Sequence, residues 1–261
     1  MRFTNGEFDQ DLTYFQRSPK LSKIPNIFIH GVGLDHSMWI PQKKSIKKEE
    51  IIFYDLLNHG KSKKGYKKLN FQNFTRQLNN LVKYLNIKKF NLIGFSIGAI
   101  IAQYYAVKYE SKINKLILIA SIYNRSTEEI AKVKKRYEIA AKGKSISDDS
   151  INRWFNKKYI KKNPKIYKYF YNILKKKKNS DFLPAYKAFV NAKNYKIDFS
   201  NFNTPTLIMT GENDIGSTPR MSKMLKKKIK KSKIYIIPKA KHMVTFEKSR
   251  IVNEQIIKFI N

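Results

Sequence analysis

The segment Gly94-Phe95-Ser96-Ile97-Gly98 places a serine between two glycines, at the junction of two different patterns. Residues 89–95 (KFNLIGF) form a short apolar run of the kind that makes a buried strand, and residues 97–109 read as a helix. A G-x-S-x-G turn between strand and helix holds its serine in a strained conformation, with the hydroxyl projecting above the sheet. Gly94 and Gly98 leave room for the helix to pass close to the strand. The backbone N–H of Ile97, at the helix start, can then face a developing oxyanion. The alternative is an ordinary turn in which Ser96 caps the helix.

A serine hydroxyl is a poor nucleophile at neutral pH. It needs a base, and the base needs an orienting acid. The chain has four histidines, His30, His36, His59 and His242, and only His242 follows the serine. It lies in Lys239-Ala240-Lys241-His242-Met243, past the last strand pattern and before the last helix. A sheet of this kind presents its triad in the chain order serine, acid, histidine. Asp214, in TGEND directly after the strand pattern of residues 204–210, is the expected acid, with Glu212 in reserve. Asp198 is a weaker candidate because it precedes that strand. A turn aspartate and a loop histidine are the plainer readings of the same residues.

His30-Gly31-Val32-Gly33-Leu34 follows the first clear strand. Its glycines let the backbone turn and present the Val32 N–H, which with that of Ile97 would make a two-donor oxyanion hole. A phosphate cradle is the competing use, but neither a full G-x-G-x-x-G nor a G-K-[ST] sequence is present.

These residues need a scaffold. Strand patterns occupy residues 24–30, 50–56, 89–95 and 113–120, with helical spacing over 71–85 and 97–109. Residues 1–18 read as a hairpin around Asn5-Gly6. The alternation predicts an α/β fold, a mostly parallel sheet with helices on both faces. From about 125 to 195 the strand patterns stop, and helical segments rich in Lys and aromatics follow, broken near Gly143, Pro164 and Pro184. Strand patterns resume at 204–210 and 232–238, and a final helix covers roughly 245–260. The expected division is a core over 1–122, a helical lid over 123–196 and the rest of the core over 197–261. The lid should supply an apolar pocket from Trp154, Phe155, Tyr167, Phe170 and Phe189, joined by Trp39 after the Gly-rich loop.

The chain has 261 residues with a formal charge of +35, which raises the question of nucleic acid. Only 8 of the 54 basic residues are Arg, and the lysines spread along the whole chain beside abundant Asn and Ile. AT-rich codons by themselves could create that pattern, so no nucleic-acid partner is expected, though a positive field would attract anionic substrates or an acidic protein. With no cysteine, disulfides, thiolate metal sites and a Cys nucleophile are excluded. No apolar core of a signal peptide follows Met1, and no apolar run approaches the ~18 residues of a membrane span. The expected address is therefore the cytoplasm.

The blocks HGVGLDHSMW, YDLLNHGKS, NLIGFSIGA, TGENDIG and AKHMVTFE, in this order, resemble the α/β-hydrolase superfamily over nearly the whole chain. The resemblance assigns Ser96, Asp214 and His242 to the triad, Val32 and Ile97 to the oxyanion donors, and the helical insert to the lid. Asn58 stands where the family's D-x-x-G-x-G-x-S block usually has its first glycine. HGVGLDHSMW is most similar to 3-oxoadipate enol-lactonase-like enzymes and to carboxylesterases acting on pimeloyl-carrier-protein methyl esters. The latter bind an acidic carrier through basic lid residues, and this lid carries Arg125, Arg136 and Arg153. Serine at position 96 argues against the haloalkane dehalogenases and epoxide hydrolases, which place Asp there. The resemblance implies hydrolysis of a small-molecule ester or lactone, an anionic or carrier-linked one included, with neither metal nor organic cofactor. Carbon–carbon bond hydrolysis of a dienoate-type ketone, acyl transfer or perhydrolysis, and a binding protein on the same scaffold remain open.

Overall fold

A computed structural model describes residues 3–194 and 196–261. The first two residues of the expected hairpin region and residue 195 of the insert lie outside the described residues. The strands are β1 (Glu7–Phe8), β2 (Tyr14–Arg17), β3 (Asn26–Ile29), β4 (Ile51–Tyr54), β5 (Phe90–Phe95), β6 (Ile113–Ile119), β7 (Thr206–Gly211) and β8 (Ser232–Ile237). The helices are α1 (Ile40–Ser45), α2 (Phe71–Tyr84), α3 (Ile97–Lys108), α4 (Thr127–Ala141), α5 (Ser147–Trp154), α6 (Lys157–Lys162), α7 (Pro164–Lys176), α8 (Asn179–Val190), α9 (Pro219–Lys228), α10 (Val244–Glu247) and α11 (Ser249–Ile260).

One sheet runs in the order β1-β2-β4-β3-β5-β6-β7-β8. The β1–β2 and β2–β4 pairs are antiparallel and all others are parallel. β3, β4, β5 and β7 are buried along their whole length, as unbroken apolar patterns in a covered parallel sheet require. The pairings Ile29↔Gly94, Phe95↔Ile119, Ile119↔Met209 and Gly211↔Ile237 align the carboxyl ends of β3, β5, β6, β7 and β8. Loops leaving those ends therefore meet along one edge of the sheet. At the opposite end, Asn114 Nδ2 donates to Asn91 Oδ1, Asn91 Nδ2 to Asn26 Oδ1, and Asn26 Nδ2 to the Glu50 carbonyl. This amide ladder satisfies polar groups that the sheet would otherwise bury unpaired.

Residues 127–194 form helices α4 to α8 and a closing 3₁₀ turn between β6 and β7. Ser126 and Glu129 make a reciprocal capping box that starts α4. Pro164 opens α7 at its first turn, where a missing N–H is harmless. Pro184 does not break the chain as the sequence suggests; it sits inside α8, where it has no N–H to donate. The insert has a small core of Val133, Ala140, Ile146, Phe182, Tyr186 and Val190. The N-terminal hairpin also differs from expectation. Its turn is at residues 9–13, where Asp9 Oδ1 accepts from the Asp11 and Thr13 N–H groups and Leu12 takes φ 61°. The expected last helix is two, α10 and α11, separated at Lys248. No helix among the described residues is long and apolar enough to cross a membrane.

Helix α3 crosses β3 and β5 at backbone contact distance. A Cβ on Gly98 would meet the carbonyl oxygens of Ile29 and His30, the latter at 2.6 Å, and one on Gly94 would meet the Gly98 carbonyl. Neighbouring loops are pinned by two buried histidines whose rings lie 5.2 Å apart. Leu56 N–H donates to His30 Nε2 at 3.0 Å, which leaves the proton on Nδ1 facing the Gly31 carbonyl at 2.8 Å. Gly33 N–H donates to His59 Nε2 at 3.0 Å, and His59 Nδ1 faces the Leu57 carbonyl at 2.9 Å. Asn58 takes φ 63°, a conformation Asn tolerates better than most side chains, so the unusual residue keeps the glycine-like geometry.

Burial, reinforced by the nearby His59, lowers the His30 pKa to about 3, and burial also lowers that of His59. Below pH 6.5 the unfolded chain takes up a proton that folded His30 refuses until about pH 3, so stability falls as pH falls through that window. We expect His30 to account for about 3 kcal/mol of stability lost between pH 7 and pH 4. Urea denaturation of wild type and His30→Gln at both pH values checks this: the drop should be smaller in the variant, and equal drops would refute it. Gly98→Ala should cost roughly 2 kcal/mol or more, because the obstructing atoms are backbone, read from the same urea midpoints at pH 7.

Candidate active site

β5 ends at Phe95, α3 begins at Ile97, and the single residue between them, Ser96, has φ 56° and ψ −116°. Positive φ in a residue with a Cβ is a strained state that persists only when the surroundings over-determine it. Here Ser96 N–H donates to the Ile119 carbonyl at 2.9 Å, and the Ser96 carbonyl accepts from Ala99 at 3.0 Å. The side chain does not cap α3. Ser96 is 4% exposed, and it borders a cavity.

Asp214 lies in the loop after β7 and is buried. Its Oδ1 accepts from the N–H groups of Gly216 at 2.8 Å and Ser217 at 3.0 Å, which fixes the carboxylate. Its Oδ2 lies 2.6 Å from Nδ1 of His242, in the loop after β8. With Nδ1 held by the carboxylate, Nε2 is the ring nitrogen left to exchange a proton. Gly211 lets the two loops approach, since a Cβ there would strike the Ala240 and Lys241 carbonyls, and Asn213 N–H donates to Ala240 at 2.8 Å. The imidazole stands 5.0 Å from the Phe95 ring, beside the serine turn. Ser96, Asp214 and His242 border the same cavity. Glu212 borders it too, but its carboxylate accepts from the Lys239 N–H. Asp198 is exposed and bonds to Ser200.

Gly31 and Val32 form another part of the cavity wall. Among the described residues, no hydrogen bond within the chain takes up the N–H of Val32 or of Ile97. The loop is kept in place by the Gly33–His59 bond and by Leu34 N–H donating to Gly31 at 3.2 Å. Asp35, His36 and Asp55 bring potential metal-ligating atoms within 4.8 Å of one another. Those atoms are engaged, however: Asp55 accepts from His36 and from the Lys61 N–H, and Asp35 accepts from Ser37.

The cavity encloses about 850 Å³ between the core loops and the insert. Trp154 and Phe189 border it, as the sequence suggests, with Val133, Leu174, Phe182 and Tyr186. The last group was not singled out in the sequence, although Phe182 and Tyr186 stand four apart on one face of α8. Two expected pocket residues are elsewhere. Trp39 closes a short 3₁₀ turn that directs it inward, where it packs 5.0 Å from Phe28 and 6.4 Å from Phe95. Phe155 stacks on Tyr159 at 5.6 Å and packs against Phe170 at 5.3 Å, within the core rather than on the cavity wall. Phe170 is likewise fully buried, and Tyr167 hydrogen-bonds Asp148 on the surface. The insert is tied to the histidine loop: Met243 N–H donates to the Trp154 carbonyl at 2.9 Å, and Lys241 Nζ to that of Asn152 at 2.8 Å.

Comparison with known proteins agrees with this architecture. Residues 27–138 match the family model of the alpha/beta hydrolase fold. The chain is 26% identical to the (E)-2-((N-methylformamido)methylene)succinate hydrolase of Acinetobacter baylyi, across 88% of each chain. It is 23% identical to 3-oxoadipate enol-lactonase 1 of the same organism, across 85% of this chain and 82% of the relative. The crystal structure of the enol-lactonase from Burkholderia xenovorans superposes with a TM-score of 0.80 and 18% identity, covering 95% of this chain and 96% of the other. With its mostly parallel sheet, its strained serine turn and these relatives, the chain has the α/β-hydrolase fold and is similar to hydrolases built on it.

Proposed function

We propose that the protein is a serine-dependent carboxylic ester hydrolase that cleaves an ester or lactone through an acyl-enzyme. The observation that carries this reading is the 2.6 Å pair of Asp214 and His242 opening onto the same cavity as the strained Ser96. In this mechanism His242 Nε2 takes the proton of the Ser96 hydroxyl as Oγ attacks the carbonyl carbon. The N–H groups of Val32 and Ile97 stabilise the resulting oxyanion. Collapse of the tetrahedral intermediate breaks the acyl–oxygen bond, and His242 gives its proton to the departing alkoxide. Water then attacks the acyl group, His242 takes a proton from it, and Ser96 leaves as the free hydroxyl. Asp214 holds the imidazole in the required tautomer and stabilises its cation. The insert, residues 123–196, acts as the lid that shelters these steps from bulk water.

A lactonase reading is supported by the enol-lactonase relatives, whose names describe this bond type for those proteins. A panel of p-nitrophenyl esters of increasing chain length tests the proposal against ring-fission ketones, the substrates of carbon–carbon hydrolysis on the same triad. Wild type should turn over esters and leave the ketones intact; the reverse pattern would reassign the bond cleaved. Ser96→Ala should lower kcat by at least about 1000-fold, and equal turnover by both proteins would eliminate the nucleophile. Asp214→Asn should lose roughly 10⁴-fold in kcat, since the amide favours the wrong histidine tautomer.

A further inference from the structure

Four consecutive lysines, Lys175 to Lys178, end α7 and lead into α8, and they do not share one environment. Lys175, Lys176 and Lys178 are exposed. The link between the helices has polyproline-type backbone at both positions, with φ −73° and ψ 136° at Lys177 and φ −77° and ψ 137° at Lys178, so the two side chains diverge. Lys177 turns inward. A second cavity of about 460 Å³ lies behind the Gly33–Leu34 loop, and Leu34, Lys177 and Phe182 border both it and the cavity that Ser96 borders. Lys177 is thus part of the wall between two cavities, with its Nζ 4.1 Å from the centroid of the Phe182 ring.

Among the described residues, no hydrogen bond or ion pair takes up this ammonium group. In the second cavity Asp181 lies 4.0 Å from Lys64, Asp35 accepts from the Ser37 N–H, Tyr169 donates to Ser37, and His59 is kept neutral by burial. On the central side Glu129 pairs with Arg220, Glu212 accepts from the Lys239 N–H, Asp214 holds His242, and Glu128 is exposed; the other charges there are cations. A ring face attracts an ammonium group but does not replace its hydration. Burial therefore brings the Lys177 pKa down to about 8. At pH 7 its neutral amine is about 300-fold more abundant than that of an ordinary lysine, and the lower basicity takes back only part of that gain. A desolvated amine facing a cavity is a nucleophile.

We propose that Lys177 is an acyl-acceptor site, whose ε-amine takes the acyl group of an activated carboxylic ester that enters the cavity. The amine nitrogen attacks the carbonyl carbon. The C–N bond forms as the acyl–oxygen bond breaks, and the alkoxide leaves with the proton that the amine gives up. The product is a neutral amide whose acyl chain lies in the wall between the two cavities, beside Leu34 and Phe182. This attack goes beyond the serine-hydrolase reading and does not depend on Ser96.

The test treats the Ser96→Ala protein with p-nitrophenyl acetate, digests it and maps the acetyl groups by tandem mass spectrometry. At pH 7, Lys177 should be acetylated at least about 10-fold faster than its neighbours Lys176 and Lys178 and than Lys20, all of them exposed. Its rate should level off above pH 8, while the exposed lysines still gain towards pH 10. In urea the preference should vanish, because it belongs to the folded wall and not to the lysine run. Lys177→Gln should remove the fast label and leave Lys20 reacting at its former rate. Equal rates at Lys176, Lys177 and Lys178 in the folded protein would overturn the proposal, as would a preference that survives unfolding. Acetyl found on Lys177 only when Ser96 is present would mean transfer from the serine and would overturn direct attack.

Discussion

The close crossing of α3 over β3 and β5 governs the rest of this structure. Gly94 and Gly98 bring backbone to backbone where any side chain would collide with carbonyl oxygens. The chain can then turn from strand into helix across one residue, and that residue, Ser96, is forced to positive φ. The strain is held by the Ser96 N–H bond to β6 and by the first turn of α3. The same crossing puts the helix start, with its free N–H groups, next to the loop that leaves β3. Nucleophile and oxyanion donors on this reading are thus products of one packing contact, not of separate features.

The remaining site depends on the alignment of strand ends. Register fixes the loops after β3, β5, β7 and β8 at one edge, so residues far apart in sequence become neighbours. Local hydrogen bonds refine this coarse placement. Backbone N–H groups hold the Asp214 carboxylate, buried neutral histidines hold the glycine loop, and the insert grips the loop that carries His242. The neutrality of His30 and His59 follows from burial, and their acceptor nitrogens are what the loop N–H groups require.

The insert faces the edge of the sheet where these loops meet with a mixture of aromatic and basic side chains. The high net charge of the chain adds a diffuse positive field that salt screens.

By itself the sequence did not determine α1, α9 or the split between α10 and α11, but it determined the α/β class, the order of the main strands, the serine turn and the chain order of serine, acid and histidine. Each is written in local spacing: G-x-S-x-G at 94–98, apolar runs of strand length, and TGEND after the seventh strand. Only the tertiary structure decided which side chains face the cavity. Trp39 and Trp154 look alike in sequence, yet a 3₁₀ turn sends the first into the core while the second borders the cavity. Phe155, adjacent to Trp154, points into the core packing. Arg125, Arg136 and Arg153 read only as basic lid residues in the sequence and border one cavity only when the insert's helices fold together. Local periodicity fixes secondary structure and one buried face, whereas convergence depends on how separate helices pack, which no short window of sequence contains.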